Sequence, residues 1–197
     1  MKASVQGGSL GRWFEELCRL KIKKLKELTV SSGMRLKSGS LPAVGGVYTF
    51  WWAGPTKLLR TSHRDLALVG PGGRIINLHI NDDWFGLNTE LPVPLYVGKT
   101  AANLQKRIGQ HLLLKKERAL PLYKGAEKAK PPTTSCQLRA GIDHLFPTEG
   151  DTRTLILENV GLSYVELDGD SHAVNRFYLE DMAIGNMRPP LNVDIER

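Results

Sequence analysis

Residues 94–114, PLYVGKTAANLQKRIGQHLLL, constrain the fold most, because the period of their hydrophobic pattern changes part-way along the segment. A β-prone run leads to Gly98, and apolar residues then recur every four positions: Leu104, Ile108 and Leu112. This recurrence marks one face of a helix, and Arg107 and His111 lie on the neighbouring stripe. The segment therefore predicts a strand, a turn and a helix at 101–114 that carries a cation and an imidazole one turn apart.

Charge is distributed unevenly along the 197 residues, whose net charge is +7. Residues 1–40 hold nine Lys/Arg against three Asp/Glu, and residues 99–139 hold ten against two. Residues 41–98 balance at four against four, whereas residues 140–197 hold four against eleven. Two basic blocks favour a polyanionic partner, most simply nucleic acid, and a solvated basic surface is the alternative interpretation.

Length and cysteine content narrow the class of protein. A chain of this length fits one domain with a sizeable core, and its apolar fraction of 41% is typical of globular proteins. Its two cysteines, Cys18 and Cys136, are too few for a disulfide framework, so we expect a reducing, cytoplasmic location. No run has the pattern of a signal peptide or a membrane span, so we expect no membrane contact.

The N-terminal residues 1–40 predict a basic helical arm. Residues 9–33, SLGRWFEELCRLKIKKLKELTVSSG, have the pattern of one helix, with Ser9 as its N-cap and Gly33 beyond its end. Four lysines crowd its second half: Lys21, Lys23, Lys24 and Lys26. Such a helix either packs on the core with its basic face exposed to solvent or contacts a DNA backbone. A membrane-surface helix is disfavoured because the sequence shows no second membrane-anchoring feature.

The remaining sequence alternates strand and helix signals. A hairpin is predicted around PGG at 71–73, and a lysine-rich loop leads to a short helix capped by Thr134 or Ser135. A last helix begins at Asp170 or Ser171 and ends before the proline pair at 189–190. Strands are predicted at GGVYTFWWA (45–53), LYVG (95–98) and LSYVELD (162–168).

The last helix places a carboxylate on its apolar side. Glu180 falls inside an apolar stripe formed by Ala173, Phe177, Ile184 and Met187. A buried carboxylate is costly unless a cation meets it, and the candidates are Arg107, Arg176 or a divalent metal. Mg²⁺ suits such a site because it commonly takes one or two carboxylates and completes its shell with water and phosphate. A structural ion pair is the alternative.

The order of these residues resembles the signature of the GIY-YIG nucleases. The two tyrosine motifs are GVY at 46–48 and YVG at 96–98, and the further matches are Lys99, Arg107, His111, Glu180 and Asn192. The four-residue step from arginine to histidine and the twelve-residue step from glutamate to asparagine are also kept. The resemblance covers residues 41–52, 94–114 and 162–194.

The resemblance implies an α+β fold with a small, mainly antiparallel three-stranded central sheet flanked by helices. It implies a nuclease domain over residues 41–197, with insertions at about 53–93 and 115–161. The basic helical arm of residues 1–40 precedes this domain in the chain. Long inserts of this kind resemble those of GIY-YIG restriction endonucleases, which makes a sequence-specific, restriction-type enzyme the favoured subclass.

The activity implied is metal-dependent hydrolysis of double-stranded DNA to 5′-phosphate and 3′-hydroxyl ends. Glu180 would hold Mg²⁺ or Mn²⁺, and Arg107 would donate to the non-bridging oxygens. Tyr48 would take the proton of the attacking water, with His111 as a rival base. Lys99 or the metal would favour the phenolate of Tyr48.

The remaining site residues would position these groups. Tyr96 and His111 would orient the phosphate and the water, and Asn192 would brace the helix end beneath Glu180. Two copies related by a twofold axis would cut both strands of a palindrome, so a homodimer is expected. Candidate DNA contacts come from the basic blocks: Lys23, Lys24, Lys106, Lys115, Lys116 and Arg118.

Two alternatives stay open beside the restriction enzyme. One is a repair or mobile-element nuclease of the same family. The other is a domain of this fold that binds nucleic acid without cutting it, although such a domain has no need for the carboxylate of Glu180.

Overall fold

The strand Gly46–Trp52 is buried at all seven positions, which requires that both faces of its sheet be covered. A computed structural model describes residues 7–19, 22–31, 35–69, 75–85, 92–112 and 137–193. In that part of the chain the strands are β1 (Lys23–Lys24), β2 (Gly46–Trp52), β3 (Asp65–Val69), β4 (Ile75–His79), β5 (Val93–Thr100) and β6 (Val160–Glu166). The helices there are α1 (Gly7–Arg19), α2 (Leu25–Leu28), α3 (Thr56–Arg60), α4 (Leu104–Leu112), α5 (Gln137–Leu145), α6 (Thr152–Asn159) and α7 (Ala173–Met187).

The central sheet has the strand order β1-β6-β2-β5, and every neighbouring pair is antiparallel. The α+β class and the antiparallel sheet are therefore as predicted. The sheet has four strands where three were expected, because the two-residue β1 pairs with β6. Within the described chain, β5 lies at one edge of the sheet and β1 at the other.

Helices cover both faces of this sheet and create two apolar clusters. Adjacent residues of β2 point to opposite faces, and Trp51 and Trp52 are nevertheless both buried. On the first face, β2 contributes aromatic rings that pack against α4 and α5: Tyr48, Phe50, Trp52, Leu104, Ile108, Leu138 and Ile142. On the second face, α1 and α7 pack on the sheet: Leu17, Val47, Val97, Leu179 and Ala183.

The prediction of one helix over residues 9–33 is wrong. Helix α1 ends at Arg19, Lys23 and Lys24 form a strand, and α2 follows. Pairing with β6 overrides local helix propensity, because the chain at Ile22 approaches the sheet at Gly161, where a Cβ atom would lie 2.2 Å from Ile22 Cγ2. Ser9 lies inside α1 and is not its cap. Four positions named in the predictions lie outside the described residues: Lys21, Gly33, and the caps Thr134 and Ser135.

Residues 53–93 contain the predicted hairpin. Strands β3 and β4 pair antiparallel, with Asp65 opposite His79 and Val69 opposite Ile75, so that prediction is confirmed. The predicted helix after the lysine-rich loop is α5, which packs on β3. Helix α6, capped by the Asp151 carboxylate at the backbone N–H of Arg153, was not predicted.

Helix α7 ends as predicted, at a left-handed Arg188 before the proline pair. Its start differs, since a 3₁₀ turn at Asp170–His172 precedes it and His172 is the N-cap residue. Its buried face is also rotated from the predicted stripe, and consists of Arg176, Leu179 and Ala183. Phe177 is 37% exposed.

No helix among the described residues is long and apolar enough to cross a bilayer.

Candidate active site

Tyr48 and Gly98 are cross-strand partners in the β2–β5 pair. The phenol ring of Tyr48 lies directly over Gly98, so that a Cβ atom there would be 2.5 Å from Tyr48 Oη and 2.7 Å from its Cζ. It would also lie 2.9 Å from Cε1 of Tyr96. The glycine of the YVG motif is therefore required by a close approach of the first tyrosine, which connects the two motifs physically.

Replacing Gly98 with alanine is expected to destabilise the protein by about 1–3 kcal/mol, the usual cost of forcing extra volume into a packed site. The added methyl group must displace the Tyr48 ring, so the hydroxyl should also lose its position. The free energy of unfolding by chemical denaturation measures the first effect.

Gly109→Ala is the matched control, because an added Cβ in α4 meets only Leu36 Cδ1, at 3.8 Å. Alanine in a helix interior should stabilise that variant by up to about 1 kcal/mol. Equal stability of Gly98→Ala and the native protein would contradict the close packing of the two tyrosine motifs.

The Tyr48 hydroxyl is held by two side chains of α4. Its oxygen lies 2.8 Å from His111 Nε2, and Arg107 Nε donates to it over 3.3 Å. The helix is anchored by Asn103, whose side-chain oxygen accepts from the backbone N–H of Lys106 as an N-cap. Arg107 and His111 meet one hydroxyl because residues four apart share a helix face.

The His111 ring is buried and held by aromatic neighbours. Its centroid lies 5.2 Å from the rings of both Phe50 and Tyr96. Burial, followed by the charge of Arg107, lowers the pKa of His111 to about 3. The imidazole is therefore neutral at physiological pH and can accept a hydrogen bond from a neighbour.

The surroundings of Tyr48 keep its phenol protonated. Burial raises the pKa of Tyr48 well above its ordinary value, and proximity to Tyr96 and to the charge of Glu180 raises it further. The charge and hydrogen bond of Arg107 act in the opposite direction. Burial lowers the pKa of Arg107, but its contacts with Tyr48 and Tyr96 outweigh this and the net pKa is raised.

Glu180 is paired with Lys99 and not with the cations expected from the sequence. The ammonium group donates to Glu180 Oε2, and the two side chains are 32% and 13% exposed respectively. Arg176 is turned away, since it donates to the backbone carbonyls of Leu167 and Gly169. Lys99 consequently lies beside α7.

The two halves of the site meet around the edge strand β5. Lys99 is the partner of Val47 in the β2–β5 pair, so its side chain leaves the sheet on the face opposite that of Tyr48. The charge of Glu180 is the last and smallest of the causes that shift the pKa of Tyr48, so its effect on the phenol is weak. The candidate residues are thus divided between the two faces of the sheet: Tyr48, Tyr96, Arg107 and His111 contact one another on the face that α4 covers, and Lys99 and Glu180 pair on the face that α7 covers.

Asn192 acts on β5 and not on the end of α7. Its side-chain oxygen accepts from the backbone N–H of Val97, and its amide group donates to the carbonyl of Val97, both over 2.8 Å. Leu191 extends this pairing by donating its N–H to the carbonyl of Leu95 over 3.0 Å. The residue after the proline pair therefore fixes the edge strand between Tyr96 and Gly98.

Of the six predicted DNA contacts, the three that the structure describes lie in two separate places. Lys106 is exposed on α4 beside Arg107. Lys23 and Lys24 lie on β1, three strand spacings or roughly 14 Å from β5. Lys23 lines a cleft of about 360 Å³ beside α1 and β6 and donates to the Tyr164 hydroxyl. Lys115, Lys116 and Arg118 lie outside the described residues.

A metal at this site would depend on one carboxylate. Among the described residues there is no group of three or more His, Cys, Asp or Glu side chains that could hold an ion. Glu180 alone fits the mode in which Mg²⁺ keeps one protein carboxylate and several waters and meets a substrate phosphate. The described residues therefore do not form a structural metal site with several protein ligands.

Phe177 is a neighbour of the site that the sequence assigned to the core. Its ring lies 5.2 Å from Lys99 Nζ, and Tyr178 packs edge-on against it. The sequence did contain a signal for this position, since Phe177 precedes Glu180 by three residues. Residues three apart on a helix are neighbours, so Phe177 could have been expected beside Glu180.

Comparison of the chain with known proteins gives no match: no family model, no curated protein and no solved structure matches it.

Proposed function

We propose that this protein is a metal-dependent DNA endonuclease of the GIY-YIG type, which hydrolyses phosphodiester bonds to leave 5′-phosphate and 3′-hydroxyl ends. The observation that carries the proposal is the Tyr48 hydroxyl, which is held between His111 Nε2 and Arg107 Nε. The hydroxyl contacts a neutral imidazole and a cationic guanidinium at once. The arrangement suits proton transfer beside a bound anion.

Tyr48 would take the proton of the attacking water and pass its own proton to His111 Nε2. The high pKa of Tyr48 disfavours a free phenolate, so transfer to His111 as the water attacks avoids forming one. Burial, and after it the charge of Arg107, opposes an imidazolium at His111, and a phosphate bound to Arg107 would offset the second of these causes. The relay would therefore operate only with substrate in place.

Arg107 would bind the non-bridging phosphate oxygens, because a guanidinium presents paired donors that match them. Tyr96, within hydrogen-bond reach of Arg107, would keep that guanidinium oriented. Glu180 would hold Mg²⁺ or Mn²⁺, whose chemistry when bound is to stabilise negative charge on the departing 3′ oxygen. Lys99 would supply a second cation to the phosphate.

The charge of the chain supports DNA as the substrate. Residues 99–139, which include α4, carry ten basic side chains against two acidic ones, and Lys106 is exposed next to Arg107. The restriction-type subclass and the twofold dimer are proposals that follow from the inserts and from the need to cut two strands. Repair or mobile-element cleavage would use the same site.

Incubation of the native protein with supercoiled plasmid tests the proposal. We expect nicked and linear products with Mg²⁺ or Mn²⁺, no cutting with EDTA, and ends that a ligase rejoins without prior phosphorylation. A parallel gel-shift assay without metal measures binding. Retardation of DNA with no nicking under any divalent ion would contradict the endonuclease and favour the non-cleaving binding domain.

A further inference from the structure

Lys99 is held from two sides on the face of the sheet that α7 covers. Its ammonium group donates to Glu180 Oε2 and lies 5.2 Å from the centre of the Phe177 ring. Both contacts are made by α7 residues three apart, so one helix face binds the cation. A carboxylate and the face of an aromatic ring are the two groups that attract an ammonium ion most directly.

The same carboxylate is the metal ligand of the function proposed above, and no group of three or more His, Cys, Asp or Glu side chains that could hold an ion is present among the described residues. A divalent ion at Glu180 would bind the same carboxylate whose Oε2 the ammonium now contacts. Two cations at contact distance from one carboxylate repel each other strongly where solvent screening is reduced, and the Glu180 side chain is only 13% exposed. Lys99 and the metal therefore compete for Glu180.

A DNA phosphate would relieve this competition. Lys99 is 32% exposed and sits on a flexible four-carbon stem at the end of the edge strand β5, so its ammonium can reach a phosphate without movement of the backbone. An ammonium group that exchanges a carboxylate for a phosphate keeps an anionic partner. Glu180 is then open to the divalent ion.

We propose that Lys99 occupies the place of the divalent cation in the DNA-free protein, and releases Glu180 to the metal when a phosphate arrives. The proposal rests on the function proposed above, in which Glu180 is the metal ligand. Metal and DNA then bind with positive coupling, because each removes an obstacle to the other. The DNA-free enzyme is kept without its catalytic ion.

Binding of Mn²⁺ alone to the full chain, without DNA, tests this exchange and requires no cleavage. Isothermal titration calorimetry or the free Mn²⁺ signal in electron paramagnetic resonance gives the dissociation constant. We expect Lys99→Met to bind Mn²⁺ about five- to tenfold more tightly than the native protein, the scale of coupling between neighbouring sites. Phe177→Leu, which removes only the aromatic face, should give a smaller gain in the same direction.

Two controls separate exchange from a general change in charge. Lys57→Met removes the same charge from an exposed position on α3 and should leave Mn²⁺ affinity unchanged. In a Glu180→Gln background, Lys99→Met should give no gain. An unchanged Mn²⁺ affinity in Lys99→Met, or the same gain in the Glu180→Gln background, would overturn the proposal. A native protein that never cuts DNA would instead refute the endonuclease, and the Mn²⁺ titrations would remain interpretable.

Discussion

Glu180→Gln is expected to lower the rate of plasmid cleavage by at least about 10³-fold, because a metal-held charge contributes several kcal/mol to the transition state. Glutamine keeps the shape of the side chain but removes the negative charge, so it binds Mg²⁺ poorly. Affinity for DNA without metal should be kept or increased, since a negative charge near the phosphate is lost. Single-turnover cleavage rates and gel-shift affinities measure the two effects separately.

The neighbouring Asp181→Asn provides the control. Asp181 is exposed on α7, and its replacement removes the same charge one residue away. Its cleavage rate should stay within about twofold of the native rate, as is usual for an exposed surface change. Glu180→Gln that cuts as fast as Asp181→Asn would remove Glu180 from the mechanism.

Tyr48→Phe is expected to slow cleavage by about 10²- to 10⁴-fold, the range that a positioned acid–base group contributes. The phenyl ring still fills the space over Gly98, so the packing of the two motifs is retained. His111 Nε2 and Arg107 Nε lose the hydroxyl they share, which should cost about 1–3 kcal/mol of stability. DNA binding should change little, because the hydroxyl carries no charge.

Tyr164→Phe is the matched control for this variant. Tyr164 lies directly opposite Tyr48 in the β2–β6 pair, and its hydroxyl accepts only a long contact of 3.4 Å from Lys23 among the described residues. Cleavage by Tyr164→Phe should remain close to native. If Tyr48→Phe also cut at the native rate, proton transfer through Tyr48 would be excluded, and a water held by another base would have to take its place.

The local order of strands and helices around the site could be predicted because the hydrophobic pattern within a few residues indicates each element. The strand before Gly98, helix α4 and the β3–β4 hairpin each have their pattern within a few residues. The convergence of Arg107 and His111 on one hydroxyl follows from helix geometry alone. The N-terminal segment was predicted wrongly because its helical pattern competes with pairing to β6, a partner far along the chain.

The sequence by itself determined an α+β chain with two tyrosine motifs, a helix that presents an arginine and a histidine on one stripe, and a carboxylate on a later helix. The tertiary structure alone decided that Lys99 and not an arginine meets Glu180, and that Asn192 fixes Val97. These pairings join residues 81 and 95 positions apart. Periodicity describes which face a side chain occupies, whereas the partner it finds depends on how distant segments meet at the edge of β5.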